Sequence, residues 1–477
     1  VKIAFLQKYP FPYFGVMALS ASLPPEVERE VFIGDLEKDA AAAAAAFRPD
    51  VLALPVMSLE YVWMMEQARR VKALLPALTV VAGYIHATAC PEMIEEDVID
   101  AVCVGEGDRS FPRFLAALRE TGRAEAVAGF WVKREGKIVR GADPEPILDL
   151  DALPEEDRDL YYRKYPSLRG EQLKHFMASR GCPFDCAFCC HQVYGRLYRG
   201  KGRYVRRQSP EKVIGEIARV KERYGMSSIC FLDDVFIMDT EWLTRFTALY
   251  RRQIGLPYFC AITPPNFTPE IARLLEESGC RTVNFGVETA SEKKRFEILN
   301  KRVTDEQMFS AARLIKQHGL KLQTTVMFGL PFETVDEAFE NILFNLRLGT
   351  DFLASNVLLP FPKTAIEESA LKTGILDPGY LQSPEYRGIH LNSVFRFPGI
   401  ETIERVQKIS HLAMRFPSLI PLFRRLVRVP SRKLFFLLYV LSSLWRYKSE
   451  KPISWPEVIR VFWRARRNYL RYVVNSE

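Results

Sequence analysis

Two stretches of this 477-residue chain alternate short apolar runs with helical repeats, and that alternation restricts the fold more than anything else in the sequence. In the first stretch, residues 3–6, 30–33, 51–55, 79–82 and 101–104 read as strands, while 61–75 shows helical periodicity and 110–118 opens on the capping residue Ser110. The alanine run 40–46 is a helix by propensity. Repeated strand–helix alternation predicts a doubly wound parallel sheet, whose ligands sit at the carboxyl ends of its strands. Those ends are 7–15, 56–59, 83–88 and 105–108. The second stretch runs from Phe176, with strands predicted at 227–232, 258–262, 282–287, 323–328 and 351–358 and helices at 210–224, 269–278, 305–318 and 335–348. Such a repeat closes into a full or partial barrel, again with its chemistry at the carboxyl ends.

Between the two, 126–170 reads as a connector: a hairpin of 130–134 and 137–140 about Gly136, then the acidic, proline-bearing Asp149-Leu-Asp-Ala-Leu-Pro154. The expected architecture is α/β. A Rossmann-like domain occupies 1–125, the connector 126–170, a partial (β/α)6 TIM-type barrel 171–370, and a mostly helical basic region 371–477. A hydrophobic content of 48% supplies material for two or three cores. Charge is divided unevenly: residues 411–477 carry 14 Lys/Arg against 3 Asp/Glu, so the first 410 residues sum to −3 of the overall +8.

Nine cysteines, an odd number, follow a start without a secretory pattern, since Val1-Lys-Ile-Ala-Phe-Leu6 runs into a polar loop. The expected compartment is a reducing cytosol. Cys90, Cys103, Cys230, Cys260 and Cys280 stand in apolar stretches and read as core residues. The other four share one segment, Ser179-Arg-Gly-Cys-Pro-Phe-Asp-Cys-Ala-Phe-Cys-Cys190. There Cys182, Cys186 and Cys189 give the spacing C-x3-C-x2-C, which can hold three irons of a [4Fe-4S] cube and leave the fourth iron open. A zinc ion is the alternative, with Cys190 or His191 as its fourth ligand.

The spacing, with Phe188 just before the third cysteine, resembles the signature of the radical S-adenosylmethionine (SAM) superfamily. In that family the methionyl amine and carboxylate of SAM chelate the open iron, and one electron from the cluster releases a 5′-deoxyadenosyl radical. Three later segments resemble the family's barrel motifs in the same order: Leu232-Asp-Asp-Val-Phe236, Phe285-Gly-Val-Glu-Thr289 and Phe328-Gly-Leu-Pro-Phe-Glu-Thr334. The resemblance implies that Phe188 borders SAM, that Asp233 and Asp234 lie near its methionyl end, Glu288 near its ribose, and Gly329, Leu330 and Pro331 near its adenine. Carboxylates accept hydrogen bonds from ammonium and hydroxyl groups, and a glycine edge admits close backbone approach. Taken singly, each is equally a helix cap or an ion pair.

Ala82-Gly-Tyr-Ile-His-Ala-Thr-Ala-Cys-Pro-Glu92 and Val104-Gly-Glu-Gly-Asp-Arg-Ser-Phe111 resemble the cobalamin-binding domain fused to many radical SAM enzymes. By that resemblance Gly15, Ser58, Gly83, Tyr84, His86, Thr88, Gly105, Glu106 and Gly107 line the cobalamin site. Two departures stand out. Tyr84 occupies the place of a frequent second glycine, and the first loop lacks the D-x-H-x-x-G motif that supplies a lower axial histidine. The lower face of the corrin is therefore expected to meet a non-histidine residue or water. His86 either contacts the corrin or simply bonds to backbone.

The resemblance covers residues 1 to about 370 and extends to domain order. It implies a [4Fe-4S] cluster, SAM and cobalamin as cofactors, an external electron donor of flavodoxin or ferredoxin type, and methylation of an unactivated carbon. Some relatives instead close rings, rearrange carbon or insert oxygen. A tRNA methylthiotransferase fits poorly, because that family uses three N-terminal cysteines and only Cys90 and Cys103 precede residue 182. A non-catalytic cobalamin sensor is disfavoured by the intact cysteine triad. The sequence names no catalytic acid or base.

In the basic tail, Lys433-Leu-Phe-Phe-Leu-Leu-Tyr-Val-Leu-Ser-Ser-Leu-Trp-Arg446 follows Arg424, Arg425, Arg428 and Arg432, and Val461-Phe-Trp-Arg-Ala-Arg-Arg-Asn-Tyr-Leu-Arg471 comes later. No apolar run reaches the ~18 to 20 residues a spanning helix needs. The tail is expected either to lie on an anionic lipid surface, at the inner face of a membrane, or to pack as a bundle whose arginine stems cover apolar surface. Nucleic acid is a weaker third reading. Membrane contact would favour a hydrophobic substrate, such as a lipid, terpenoid or tetrapyrrole intermediate.

Overall fold

The computed structural model describes residues 1–386 and 391–450, with side chains to residue 444. Its internal contacts separate two units, the first made of 1–258 with 361–365, the second of 259–360 and the described residues from 366 onward.

The first unit opens with a seven-stranded sheet. Strands β1 (Lys2–Gln7), β2 (Glu28–Ile33), β3 (Val51–Pro55), β4 (Thr79–Gly83) and β5 (Ala101–Cys103) run parallel in the order β2-β1-β3-β4-β5. Strands β6 (Phe130–Arg134) and β7 (Lys137–Arg140) extend it as an antiparallel hairpin, with Ala101 opposite Val132 and Cys103 opposite Phe130. The hairpin expected in the connector is thus an edge of this sheet.

Successive side chains of a strand point to opposite faces, and both faces here are covered by helices. Ala4, Leu6, Leu52 and Leu54 pack with Ala41, Ala44, Met64 and Ala68 from the helices Ala40–Ala46 and Tyr61–Leu74. Ile3, Phe5, Val51 and Ala53 pack on the other side with Val16, Met17, Phe111 and Phe114 from the helices Phe14–Ser22 and Ser110–Thr121. Because β2 and β3 flank β1 on opposite sides, the strand order reverses there, and the carboxyl ends of β1 and β3 are where sheets of this topology take their ligands.

Later in the same unit, β8 (Leu173–Phe176), β9 (Ser179–Arg180), β10 (Arg206–Arg207) and β11 (Ser228–Phe231) surround the cysteine segment. β8 pairs in parallel with β11, and β9 pairs antiparallel with β10. The sequence hides β8, Leu-Lys-His-Phe, behind a charged residue. Lys174 is nonetheless buried, and its Nζ donates to the carbonyls of Leu168 and Arg169.

β12 (Tyr258–Ala261) lies at the division of the units, and in the second unit β13 (Cys280–Glu288), β14 (Lys321–Phe328) and β15 (Phe352–Val357) pair in parallel in chain order. The helices between them begin as their sequences dictate. Thr304 and Thr334 cap Asp305–Gln317 and Val335–Leu348 in full capping boxes, with Gln307 and Glu337 returning the bond. One face of these strands is buried, through Val283, Phe285, Leu322, Val326, Leu353 and Val357. The other, with Asn284, Gly286, Gln323, Thr325, Ala354 and Asn356, stays partly open.

The chain continues into the helices Ile400–Arg415, Ile420–Leu426 and Arg432–Glu450. Ile400–Arg415 packs against Val335–Leu348 and Arg432–Glu450, so the described part of the tail forms a bundle on one of its faces. Among the described residues no helix is long and apolar enough to cross a membrane. The segment Val461 to Arg471 lies outside the described residues.

Candidate active site

The cysteine loop is tied at its base. Gly181 has φ 92°, and a Cβ there would stand 2.5 Å from the carbonyl oxygen of Tyr204, so only glycine fits. The loop then turns through Cys189 N–H donating to the Cys186 carbonyl at 3.0 Å and enters the helix His191–Leu197. All three thiols are partly buried and free of disulfides. Burial pushes Cys182 up to about 12, with the neighbouring Asp234, Cys189 and Cys186 adding to the rise, whereas a hydrogen bond from Cys190 brings Cys189 down to about 7. Cysteines crowded on one loop repel one another as thiolates, and an iron cluster bound through all three offsets that repulsion. Sulfurs of Cys189 and Cys190 and a ring nitrogen of His191 also lie within 4.8 Å of one another, as a zinc site would need. Both imidazole nitrogens are already engaged, however: Nε2 is 2.8 Å from Asp234 Oδ2, and Nδ1 is 2.5 Å from the Tyr204 hydroxyl. That speaks against His191 as a metal ligand. Burial works against the imidazolium, but the Asp234 carboxylate outweighs it and the His191 pKa rises.

The two aspartates after β11 part company. Asp233 is buried, accepts the Ala178 N–H at 3.1 Å on both oxygens, and also accepts the Ser179 hydroxyl. It brackets the start of the cysteine loop, and burial lifts it to about 6. Asp234 is half exposed and bonds His191.

In the second unit Glu288 adopts φ 63° at a bulge of β13 and pairs with Lys301 at 2.8 Å. A Cβ on Gly286 would fall 1.7 Å from its Oε1 and 2.5 Å from Lys301 Nζ. Farther on, the N–H groups of Gly329 and Leu330 donate to Glu333 Oε2 at 2.5 and 3.3 Å, and Asn341 Nδ2 donates to Oε1 at 2.9 Å. Burial raises Glu333 to about 7 against these bonds. The donors of the glycine edge are therefore already used. Glu333 stood inside the quoted segment, while Lys301, thirteen residues beyond Glu288, gave no signal.

The loops at the carboxyl ends of β1, β3, β4 and β5 join residues that the sequence singles out one by one. Ser58 Oγ and His86 Nδ1 lie 2.9 Å apart; His86 is 2% exposed, against the Tyr61 ring, and burial drops its pKa to about 4. Thr88 Oγ1 donates to the Tyr84 carbonyl at 2.8 Å and accepts the Gly105 N–H at 3.0 Å. Residues 84–89, expected as loop, are a short helix after Gly83. Tyr84 enters it at φ 78°, its ring lying on Gly15 and 5.9 Å from the ring of Tyr13. Gly107 lies under Leu19, whose Cδ2 would stand 2.9 Å from a Cβ there.

Several partners here escape sequence reasoning. Tyr13 donates to the buried Glu60 at 2.7 Å; burial raises Glu60 to about 7, and its Oε2 has no hydrogen-bond partner among the described residues. Glu106 forms a bidentate pair with Arg206, at 2.6 and 3.0 Å, and its N–H donates to the Tyr198 hydroxyl at 2.8 Å. The Tyr194 hydroxyl lies beside Thr88. Tyr194 and Tyr198 lie on and just after the helix that follows the third cysteine, so these loops bond directly to the cysteine segment. An aromatic floor with glycine approaches and an unpartnered buried carboxyl oxygen fits a large flat ligand carrying polar edges.

The B12 binding domain model matches residues 8–115, and the Radical SAM superfamily model matches residues 177–344. The chain belongs to the radical SAM enzymes that carry a B12-binding domain. The βα repeat spanned by the second match is the parallel half-barrel of the radical SAM fold. The architecture takes a [4Fe-4S] cluster, SAM and cobalamin. An uncharacterized methyltransferase of Pyrococcus horikoshii is 28% identical over 374 residues, 76% of this chain and 80% of that protein. The anaerobic magnesium-protoporphyrin IX monomethyl ester cyclase of Rubrivivax gelatinosus is 26% identical over 304 residues, 61% of this chain and 53% of the cyclase. Among solved structures, the cobalamin-dependent S-adenosylmethionine radical enzyme OxsB, with aqua-cobalamin and S-adenosylmethionine bound, superposes with a TM-score of 0.67 at 15% identity, covering 98% of this chain and 75% of that one.

Proposed function

We propose that this radical SAM enzyme methylates an unactivated carbon of a hydrophobic small molecule, of lipid, terpenoid or tetrapyrrole type. The observation that carries the reading lies in the first unit. The loop at the carboxyl end of β5 bonds through the Glu106 N–H to Tyr198, and Thr88 after β4 lies beside Tyr194, just after the cysteine triad. A corrin on those loops would stand beside the radical source. When bound, the cluster with SAM supplies a carbon-centred radical and cobalamin supplies a methyl group.

The chain's own residues do the rest. Cys182, Cys186 and Cys189 hold three irons, and Asp233 fixes the loop that carries them by binding Ala178 and Ser179. Phe188, Asp234 and Glu288 orient SAM, with Lys301 holding Glu288 in place, and the Gly329-Leu330-Pro331 edge contributes through its carbonyls, its N–H groups being held by Glu333. Gly15, Ser58, Gly83, Tyr84, His86, Thr88, Gly105, Glu106 and Gly107 shape the cobalamin site. The partners we infer are an external flavodoxin- or ferredoxin-type electron donor, a lipid-like substrate and, for a cytoplasmic protein, the inner face of a membrane. The likeness to the magnesium-protoporphyrin cyclase supports a second outcome, ring closure with the same cofactors.

Anaerobic reconstitution followed by turnover with methyl-labelled SAM tests the reading. Label in an extracted hydrophobic product supports methylation, and an unlabelled cyclised product supports the alternative. A Cys186→Ala protein that keeps a full iron complement and forms 5′-deoxyadenosine would sink both.

A further inference from the structure

Sixteen large apolar side chains are exposed among the described residues, and six of them, Phe416, Leu419, Leu422, Val429, Leu437 and Leu441, fall within residues 416–441. Single exposed apolar residues are ordinary, but such a concentration marks an interaction surface. The last helix explains how it arises. Phe435, Val440 and Ser442 are buried, whereas Lys433, Leu437 and Leu441, four residues apart, form its outward stripe. The preceding helix Ile420–Leu426 likewise buries Phe423 and turns Leu422 and Arg425 outward. Both pack on the helix Ile400–Arg415.

Charge indicates what covers this face. Residues 411–450 hold eight Lys/Arg and a single acid, Glu450. Arg424 is paired with Asp336, but Arg425 and Arg428 make no ion pair among the described residues. The chain's own 451–477 carries six Lys/Arg against two Asp/Glu, so like charge opposes its folding over the face. A second copy would bring the same positive charge. An anionic surface with hydrocarbon beneath it matches both the arginines and the apolar stripe.

We propose that Leu419, Leu422, Leu437 and Leu441, with Arg425, Arg428 and Lys433, dock this protein on an anionic phospholipid bilayer, lying in the interface rather than crossing it. The docking uses none of the residues assigned to the reaction, although it supports the hydrophobic substrate proposed with it. It is measured without substrate, so its failure is distinguishable from failure of the methylation reading.

The test is sedimentation of the cluster-loaded, full chain with phosphatidylcholine vesicles containing or lacking phosphatidylserine. Binding is expected only with phosphatidylserine, weakening as salt rises. Replacing Arg425 and Arg428 together by Gln should lower the apparent affinity about 30-fold, from two charges near a charged membrane surface. Replacing Leu437 and Leu441 together by Ser should abolish binding without changing cluster content or the melting temperature, since both side chains are exposed. Equal binding to neutral vesicles, binding unchanged in either double variant, or no binding at all would overturn the proposal. So would a dimer that the leucine variant dissolves, or RNA binding lost in the arginine variant in place of lipid binding.

Discussion

Tyr198→Phe removes one oxygen and tests the bond between the cobalamin loops and the cysteine segment. The ring is 2% exposed and its packing survives the change. What is lost is the acceptor of the Glu106 N–H, at 2.8 Å. The hydroxyl also stands where a Cβ on Gly105 would sit, 2.5 Å away, so the loop is closed tightly over it. A vacated hydroxyl is a small space for water, which needs several polar partners to settle. An orphaned buried amide costs about 1–3 kcal/mol, and for the part-buried Glu106 amide we take about 2 kcal/mol as the upper end. Native-state hydrogen exchange then reads a fall of about 30-fold in the protection of the 104–108 amides, with distant amides unchanged. Cobalamin affinity, followed by absorbance, should weaken alongside. Unchanged exchange at Glu106 with a normal fold would refute the reasoning, because the hydroxyl would then carry no load.

Two further outcomes follow from the geometry. Gly286→Ala puts a Cβ 1.7 Å from Glu288 Oε1 and 2.5 Å from Lys301 Nζ, so the ion pair must break; SAM affinity measured by equilibrium dialysis should fall at least tenfold, and Lys301→Ala should reproduce much of that loss, consistent with about 3–5 kcal/mol for breaking a buried pair. Burial holds His86 near 4, below its unfolded 6.5. The unfolded chain therefore binds the extra proton first, and stability complete above pH 6.5 declines by up to about 3 kcal/mol as pH falls to 4. His86→Gln should flatten that part of a urea-denaturation profile against pH, and an unaltered slope would count against a neutral buried imidazole.

Most of the framework was legible because it rests on local periodicity. The helices Pro210–Tyr224 and Val335–Leu348 lie where the apolar spacing put them, the second framed by the Thr334 capping box and a left-handed Gly349. What failed was local sequence in conflict with its surroundings. Lys174 hides β8, because its stem is buried and its ammonium reaches carbonyls six and five residues earlier. At Tyr84 a side chain follows a glycine into the left-handed region, so a helix starts where a glycine loop was expected. In the site, the cysteine triad was visible from spacing alone. The pairs Tyr13 with Glu60 and Glu106 with Arg206 were not, since they join residues 47 and 100 positions apart. Ser58 and His86 were each noted, yet their bond to one another exists only once β3 and β4 lie side by side.

The Glu106–Arg206 pair and the Tyr198 bond also limit how this protein can be recombined. Cobalamin modules look interchangeable, as though one could be grafted onto any radical-generating core. Here the graft would leave Arg206, with its side chain 3% exposed, facing no carboxylate, and would strand a phenol beside a foreign loop. A working chimera must carry the 104–108 loop together with Tyr198 and Arg206 as one inherited unit, its seam placed inside the second module rather than at the linker.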